Sequence, residues 1–263
     1  IAEKILSKKS VRRRELNAGD YVDVGIDGLL LPAAVSQVNQ KAVEAGLPGG
    51  LPRLWDPERV YMMTDHHQPP TNELQARRNK VARELAARLG VKYFHDAEPG
   101  VCHQMMCDYG YVRPGELIVG PDSHCTMYGA LNAAGAGIAE PDAAYAAVFG
   151  ELWFRVPETV KIRIEGDLPT YYPVAKDLVL YLAGKYGDDM AQYMAIEYTG
   201  PAAREMDLSS RMCLADHGVE IGAKFALFEA DEKTFAYLRQ RTDKPFETVS
   251  PDPDAHYCRE ITV

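Results

Sequence analysis

Short apolar runs alternate along this chain with longer stretches of helical spacing, which confines it to an α/β fold with mostly parallel strands. Residues 21–24, Val60–Met63, 92–95 and Leu117–Gly120 read as strands of the first part. Between them, residues 32–45 and 72–89 are predicted helices; the second carries charges on one face and Val81, Leu85 and Leu89 on the other. Residues 1–9 read as a leading helix. Residues 141–145 open another, with proline in the first turn and an apolar continuation to Phe149. A second unit is expected from about Pro157. It holds a strand at 160–164, a turn at 165–167 and a helix at 174–186 with Leu178, Leu180 and Leu182 apolar. Further helices follow at Pro201–Glu205, 211–221 and 232–240, with an extended close at 260–263. The expected division is 1–157 and 158–263.

The 263 residues, 46% hydrophobic and 25% charged, suffice for one large or two modest cores. A formal charge of −9 argues against nucleic acid or a membrane surface as partner, since either selects a basic face. No apolar run approaches the ~20 residues of a bilayer span, and no signal-peptide pattern opens the chain. Five cysteines (Cys102, Cys107, Cys125, Cys213, Cys258) at irregular spacing form no disulfide framework, so a reduced, cytoplasmic setting is expected. The chain opens without methionine and stops in an extended segment, so a longer parent is expected.

Histidines and carboxylates gather in three places. Asp65-His66-His67 directly follows the apolar run Val60–Met63, His103 lies in Gly100-Val101-Cys102-His103-Gln104, and Asp122-Ser123-His124 directly follows Leu117–Gly120. Ligands of α/β sheets sit beyond the carboxyl ends of strands, where two of these clusters fall, so function is favoured over core packing. Other motifs carry less. Gly135-Ala136-Gly137 begins like a dinucleotide fingerprint, but the motif ends in Glu140 and follows small residues rather than a strand. Adjacency in sequence makes neither Cys102–His103 nor Ser123–His124 a nucleophile–base pair. Cys102 and Cys107 lack the following Cys-x-x-Cys that an iron–sulfur site needs, so no residue of this chain is expected to ligate metal. Asp65-His66-His67 also matches the signature of DHH phosphoesterases, which hold two divalent metals. That alternative needs an Asp-x-Asp near the first strand, where Asp23 and Asp27 stand at another spacing.

Taken in order, these segments resemble the aconitase family, in particular the 3-isopropylmalate dehydratase large subunits. The resemblance runs from Ile1-Ala2-Glu3-Lys4-Ile5-Leu6 through Trp55-Asp56-Pro57-Glu58, Asp65-His66, Gly100–Gln104 and Gly115–His124 to Tyr128-Gly129-Ala130-Leu131. It continues through 152–159, Thr199-Gly200-Pro201 and Gly218-Val219-Glu220-Ile221-Gly222-Ala223. It implies aconitase-like three-layer α/β/α domains and a hydro-lyase that interconverts 2-hydroxy di- or tricarboxylates, with 3-isopropylmalate in leucine biosynthesis as the leading substrate. It implies a [4Fe-4S] cluster held by cysteines of a third domain outside this chain. A small subunit or swivelling domain would supply the serine base, leaving this piece alone inactive. Asp65–His66 would be the acid pair, His103 would pair with Glu220, Asp122 with His124, and Ser123 would contact a substrate carboxylate. Three positions depart from the family pattern: Ile26 replaces a polar substrate contact, Cys125 a threonine, and Asp216 an asparagine near the cluster. An anion at 216 would repel an anionic substrate unless protonated or paired. A relative that keeps the fold without catalysis is the remaining reading.

Overall fold

The computed structural model describes residues 1–12, 15–98, 100–169 and 174–263. In chain order its strands are β1 Tyr21–Gly25, β2 Gly28–Leu31, β3 Val60–Met63, β4 Tyr93–His95, β5 Leu117–Gly120, β6 Ala134–Gly137, β7 Glu151–Arg155, β8 Thr159–Arg163, β9 Ala195–Thr199, β10 Phe225–Phe228 and β11 Arg259–Thr262. Its helices are α1 Ala2–Lys9, α2 Val35–Glu44, α3 Glu73–Leu89, α4 Cys102–Asp108, α5 Glu140–Phe149, α6 Ala175–Tyr186, α7 Pro201–Glu205, α8 Leu208–Asp216 and α9 Glu232–Arg239. One sheet runs β4-β3-β2-β5-β6 and a second β10-β9-β8-β11, each wholly parallel; β1 and β7 pair antiparallel. The α/β class with mostly parallel strands is as the sequence leads one to expect.

Strands β2, β3 and β5 are buried on both faces, which is why they read as unbroken apolar runs. Helix α3 is delimited by chemistry visible in the chain. The Asn72 side chain accepts from Gln75 N–H at its start, and Gly90 takes φ +68° at its end. Its buried stripe is Ala82, Leu85, Ala86 and Leu89, with Val81 only partly covered. In α6 the buried residues are Ala175, Val179 and Leu182, so Leu180 faces outward, 62% exposed. The helix expected over 211–221 instead ends at Asp216 and is followed by a separate 3-10 turn, Val219–Ile221.

Between β5 and β6 runs a long 3-10 segment, Ser123–Leu131, that joins the sheets. A Cβ on Gly129 would lie 1.7 Å from the Ala226 carbonyl of β10, and one on Gly135 would lie 1.9 Å from the Cys125 carbonyl. Glycine is required where backbones meet this closely. It also explains the glycine-rich 135–137 segment, which is strand β6 itself rather than a phosphate loop. Two apolar cores result. One fills the face of the first sheet against α1, α2, α3 and α5, and also takes in Ala195, Phe225 and Leu227 of the second sheet. The other joins the opposite face, through Leu30, Tyr61 and Ile118, to α4, the 3-10 segment, the second sheet and α8.

Candidate functional site

The carboxyl ends of β3 and β5, the two neighbours of β2, point the same way in a parallel sheet. They deliver Asp65–His67 and Asp122–His124 to one place, and α4, which follows β4, brings His103 to the same edge. Asp65 is set by α4: its Oδ2 accepts the Cys102 backbone N–H at 2.9 Å, a carboxylate at a helix start. Its Oδ1 lies 3.1 Å from His66 Nδ1. The other nitrogen of that ring, Nε2, lies 3.1 Å from Asp122 Oδ2. Asp122 Oδ1 is 2.9 Å from His103 Nε2 and accepts the His124 backbone N–H at 3.0 Å. One carboxylate therefore serves two imidazoles and caps the 3-10 segment.

The charges follow from these contacts. Hydrogen bonds from Asp122 first, then Asp65, push the His66 pKa up to about 10, so the ring is cationic at neutral pH. Burial pushes the Asp122 carboxyl upward, yet His103 and His66 outweigh it and hold it well below the usual carboxylate range. Asp65 behaves alike: burial raises it, while His66 and the Cys102 amide bring it below its ordinary value. These groups open on a cleft of about 510 Å³ lined by His66, His103, Asp122 and His124 and, from α8 and its end, Met212, Asp216 and His217. No arginine or lysine is among the described residues lining it, so His66 is the strongest cation it offers an anion.

Two pairings differ from expectation. His103 pairs with Asp122 rather than Glu220, and His124 Nε2 faces Glu220 Oε1 at 3.5 Å. The reason is the cap: Asp122 Oδ1 takes the backbone of His124, which turns that ring away, its Nδ1 being 3.7 Å from Asp122 Oδ1 and 3.2 Å from Ser123 Oγ. Ser123 and Glu220 are exposed at the rim. His67 leaves the cleft, with its ring near Arg78 and its carbonyl accepting from Asn79. Ile26 is buried in the first core at the amino ends of the strands, where Asp27 Oδ2 accepts Leu117 N–H, so neither reaches the cleft. Asp27 is also tied to Lys9, and the paired acids of a phosphoesterase are thus at the wrong end of the sheet. Burial, outweighing the opposing pull of His124 and His217, raises the Asp216 carboxyl and so moderates its anionic character; its Oδ2 lies 3.5 Å from His217 Nδ1.

Sequence reasoning assigned no role to Tyr128, whose hydroxyl lies 3.0 Å from His103 Nδ1, or to the Cys102 amide. Both act through contacts that only the fold creates. The implied iron–sulfur cluster finds no ligand set among the described residues. Cys102, Cys107 and Cys125 are sealed in the second core with thiol pKa raised chiefly by burial, while Cys213 and Cys258 stand apart from them.

Residues 3–262 match the model of the Aconitase family (aconitate hydratase). The chain is 42% identical to the 3-isopropylmalate dehydratase large subunit 1 of Methanopyrus kandleri, over 100% of this chain and 62% of that one. It is 35% identical to a probable methanogen homoaconitase large subunit of Methanothermobacter thermautotrophicus, over 99% and 60%. It is 35% identical to the 3-isopropylmalate dehydratase large subunit of Aquifex aeolicus, over 98% and 58%. The chain spans about 60% of the length of these curated relatives.

Proposed function

The chain belongs to the aconitase family, and on that premise we propose that it is the acid-bearing portion of a hydro-lyase acting on 2-hydroxy di- or tricarboxylates. The observation that carries the proposal is His66, cationic and held between Asp65 and Asp122 at the mouth of the cleft. Dehydration must expel hydroxide, a poor leaving group, so an imidazolium placed against the leaving oxygen lowers the barrier by general acid catalysis. Asp65 and Asp122 fix the ring and keep its proton available. Asp122 Oδ1 also lies 2.9 Å from His103 Nε2, and the other nitrogen of that ring lies 3.0 Å from the Tyr128 hydroxyl, while Glu220 orients His124 and Ser123 offers a hydroxyl to a substrate carboxylate. After transfer, the neutral ring recovers a proton under the pull of two carboxylates.

The names of the relatives favour 3-isopropylmalate, within leucine biosynthesis, as substrate; homocitrate is second, from the homoaconitase relatives. The relatives' designation as large subunits favours a small-subunit partner, which would carry the serine base. A [4Fe-4S] cluster in the whole protein would be bound by cysteines outside this chain and would supply a Lewis acid for the substrate hydroxyl. A cytoplasmic location fits such an enzyme, and no helix among the described residues is long and apolar enough to cross a membrane. The two sheets suggest a division near 157, into 1–157 and 158–263. The test uses the full-length protein with its partner. His66→Ala should abolish nearly all formation of the unsaturated acid from 3-isopropylmalate while leaving thermal unfolding close to wild type. An unchanged turnover number removes His66 as the acid. Turnover of homocitrate in place of isopropylmalate changes the substrate and leaves the chemistry standing.

A further inference from the structure

Asp65, His66 and Cys102, and again Cys102, His103 and Asp122, bring one possible metal-binding atom each within 4.8 Å of the other two. The second trio is the more enclosed, with Cys102 fully buried and His103 6% exposed. His103 Nε2 has no aligned hydrogen-bond partner, although Asp122 Oδ1 lies only 2.9 Å away. Two polar atoms that approach closely without aligning on each other are placed to share a third atom. The ring's Nδ1 is 3.0 Å from the Tyr128 hydroxyl, the kind of outer contact that fixes the tautomer of a metal-bound imidazole.

We propose that Cys102 Sγ, His103 Nε2 and the Asp122 carboxylate hold a single divalent cation of the zinc class. One thiolate, one imidazole and one carboxylate make a mixed sulfur, nitrogen and oxygen set that suits zinc and excludes calcium and magnesium, which take oxygen. The thiolate and the carboxylate balance the charge of the ion, and the thiol proton leaves to solvent as it binds. Three protein ligands leave a fourth position open toward the cleft. A bound ion draws on the same carboxylate that holds His66. Occupancy would therefore weaken the acid, a consequence that rests on the hydro-lyase reading, whereas binding itself does not.

The test adds one equivalent of Zn²⁺ to the full-length protein and reads X-ray absorption at the zinc edge. One sulfur neighbour at about 2.3 Å, with nitrogen and oxygen at about 2.0–2.2 Å, is expected. Cys102→Ser should remove the sulfur and weaken binding by about tenfold or more. Cys213→Ser should keep both, although Cys213 Sγ lies 4.0 Å from His217 Nδ1 in the same cleft. His66→Ala should also bind zinc, so the metal site and the hydro-lyase reading fail separately. Zinc with no sulfur neighbour, zinc with three sulfurs (captured by an iron–sulfur cluster), or a spectrum unchanged by Cys102→Ser overturns the proposal.

Discussion

Replacing Asp122 by asparagine isolates the charge that this carboxylate contributes. The variant keeps a side-chain oxygen to accept the His124 backbone N–H, so the cap on the 3-10 segment survives. What it loses is the anion 3.1 Å from His66 Nε2 and 2.9 Å from His103 Nε2. The His66 pKa is raised from 6.5 to about 10, with Asp122 the largest cause and Asp65 the next. One opposite charge in contact moves a pKa by roughly 1–3 pH units, so with Asp65 retained His66 should fall by roughly 2. NMR titration of the His66 ring proton, assigned by its absence in His66→Ala, reads this directly. The alkaline limb of the pH–rate profile should move down by the same amount.

Stability supplies a second reading. A raised histidine pKa stabilises the fold fully below 6.5, and that contribution is lost as pH rises toward about 10. The share of His66 in destabilising the variant should therefore appear at pH 6 and vanish above pH 10. Because the ring is nearly half-exposed, that share is discounted to about 1 kcal/mol. A His66 pKa in Asp122→Asn that matches wild type would refute the reasoning, because Asp65 alone would then hold the proton.

Two further outcomes are expected. Gly129→Ala places a methyl 1.7 Å from the Ala226 carbonyl, so it should cost more than about 4 kcal/mol in urea unfolding or leave the protein insoluble; a stable variant would show that the sheets separate readily there. Glu116, beside Arg113, is pushed up to about 7 chiefly by burial. It favours the fold when protonated, so stability should decline between pH 4.5 and 7 by up to about 3 kcal/mol. Glu116→Gln should flatten that decline in urea titrations at pH 5 and pH 8; an equal slope in both proteins would exclude this carboxyl.

Much of this was legible in the chain because the signals are local. Val60–Met63 and Leu117–Gly120 are apolar runs that end in polar turns, and a strand followed by Asp-His or Asp-Ser-His marks both an element and a candidate site. Strand β6 was not legible, because Ala134–Gly137 has no strand-forming side chains and exists through close backbone approach. The strand at 28–31 was not read because its three leucines run straight into Pro32 and the helix expected from there, and so short an apolar run does not by itself separate strand from helix. Helix α4 was missed because seven residues give too little periodicity. The partner of His103 was beyond reach for another reason. Asp122 and Glu220 are both distant from His103 in sequence, and only the fold, which brings the end of β5 beside α4, sets His103 Nε2 2.9 Å from Asp122 Oδ1.

The two apolar cores do not divide where the two sheets do. Phe225 and Leu227 are buried with residues of the first sheet, and Leu30, Tyr61 and Ile118 are buried with residues of the second. A chain severed near 157 would leave each half with an open greasy flank and no partner to close it, as two halves of a cut zip fasten nothing. Melting should therefore be a single event felt alike at α1 and at α9, and the geometry around Asp122 lasts only while both sheets are folded.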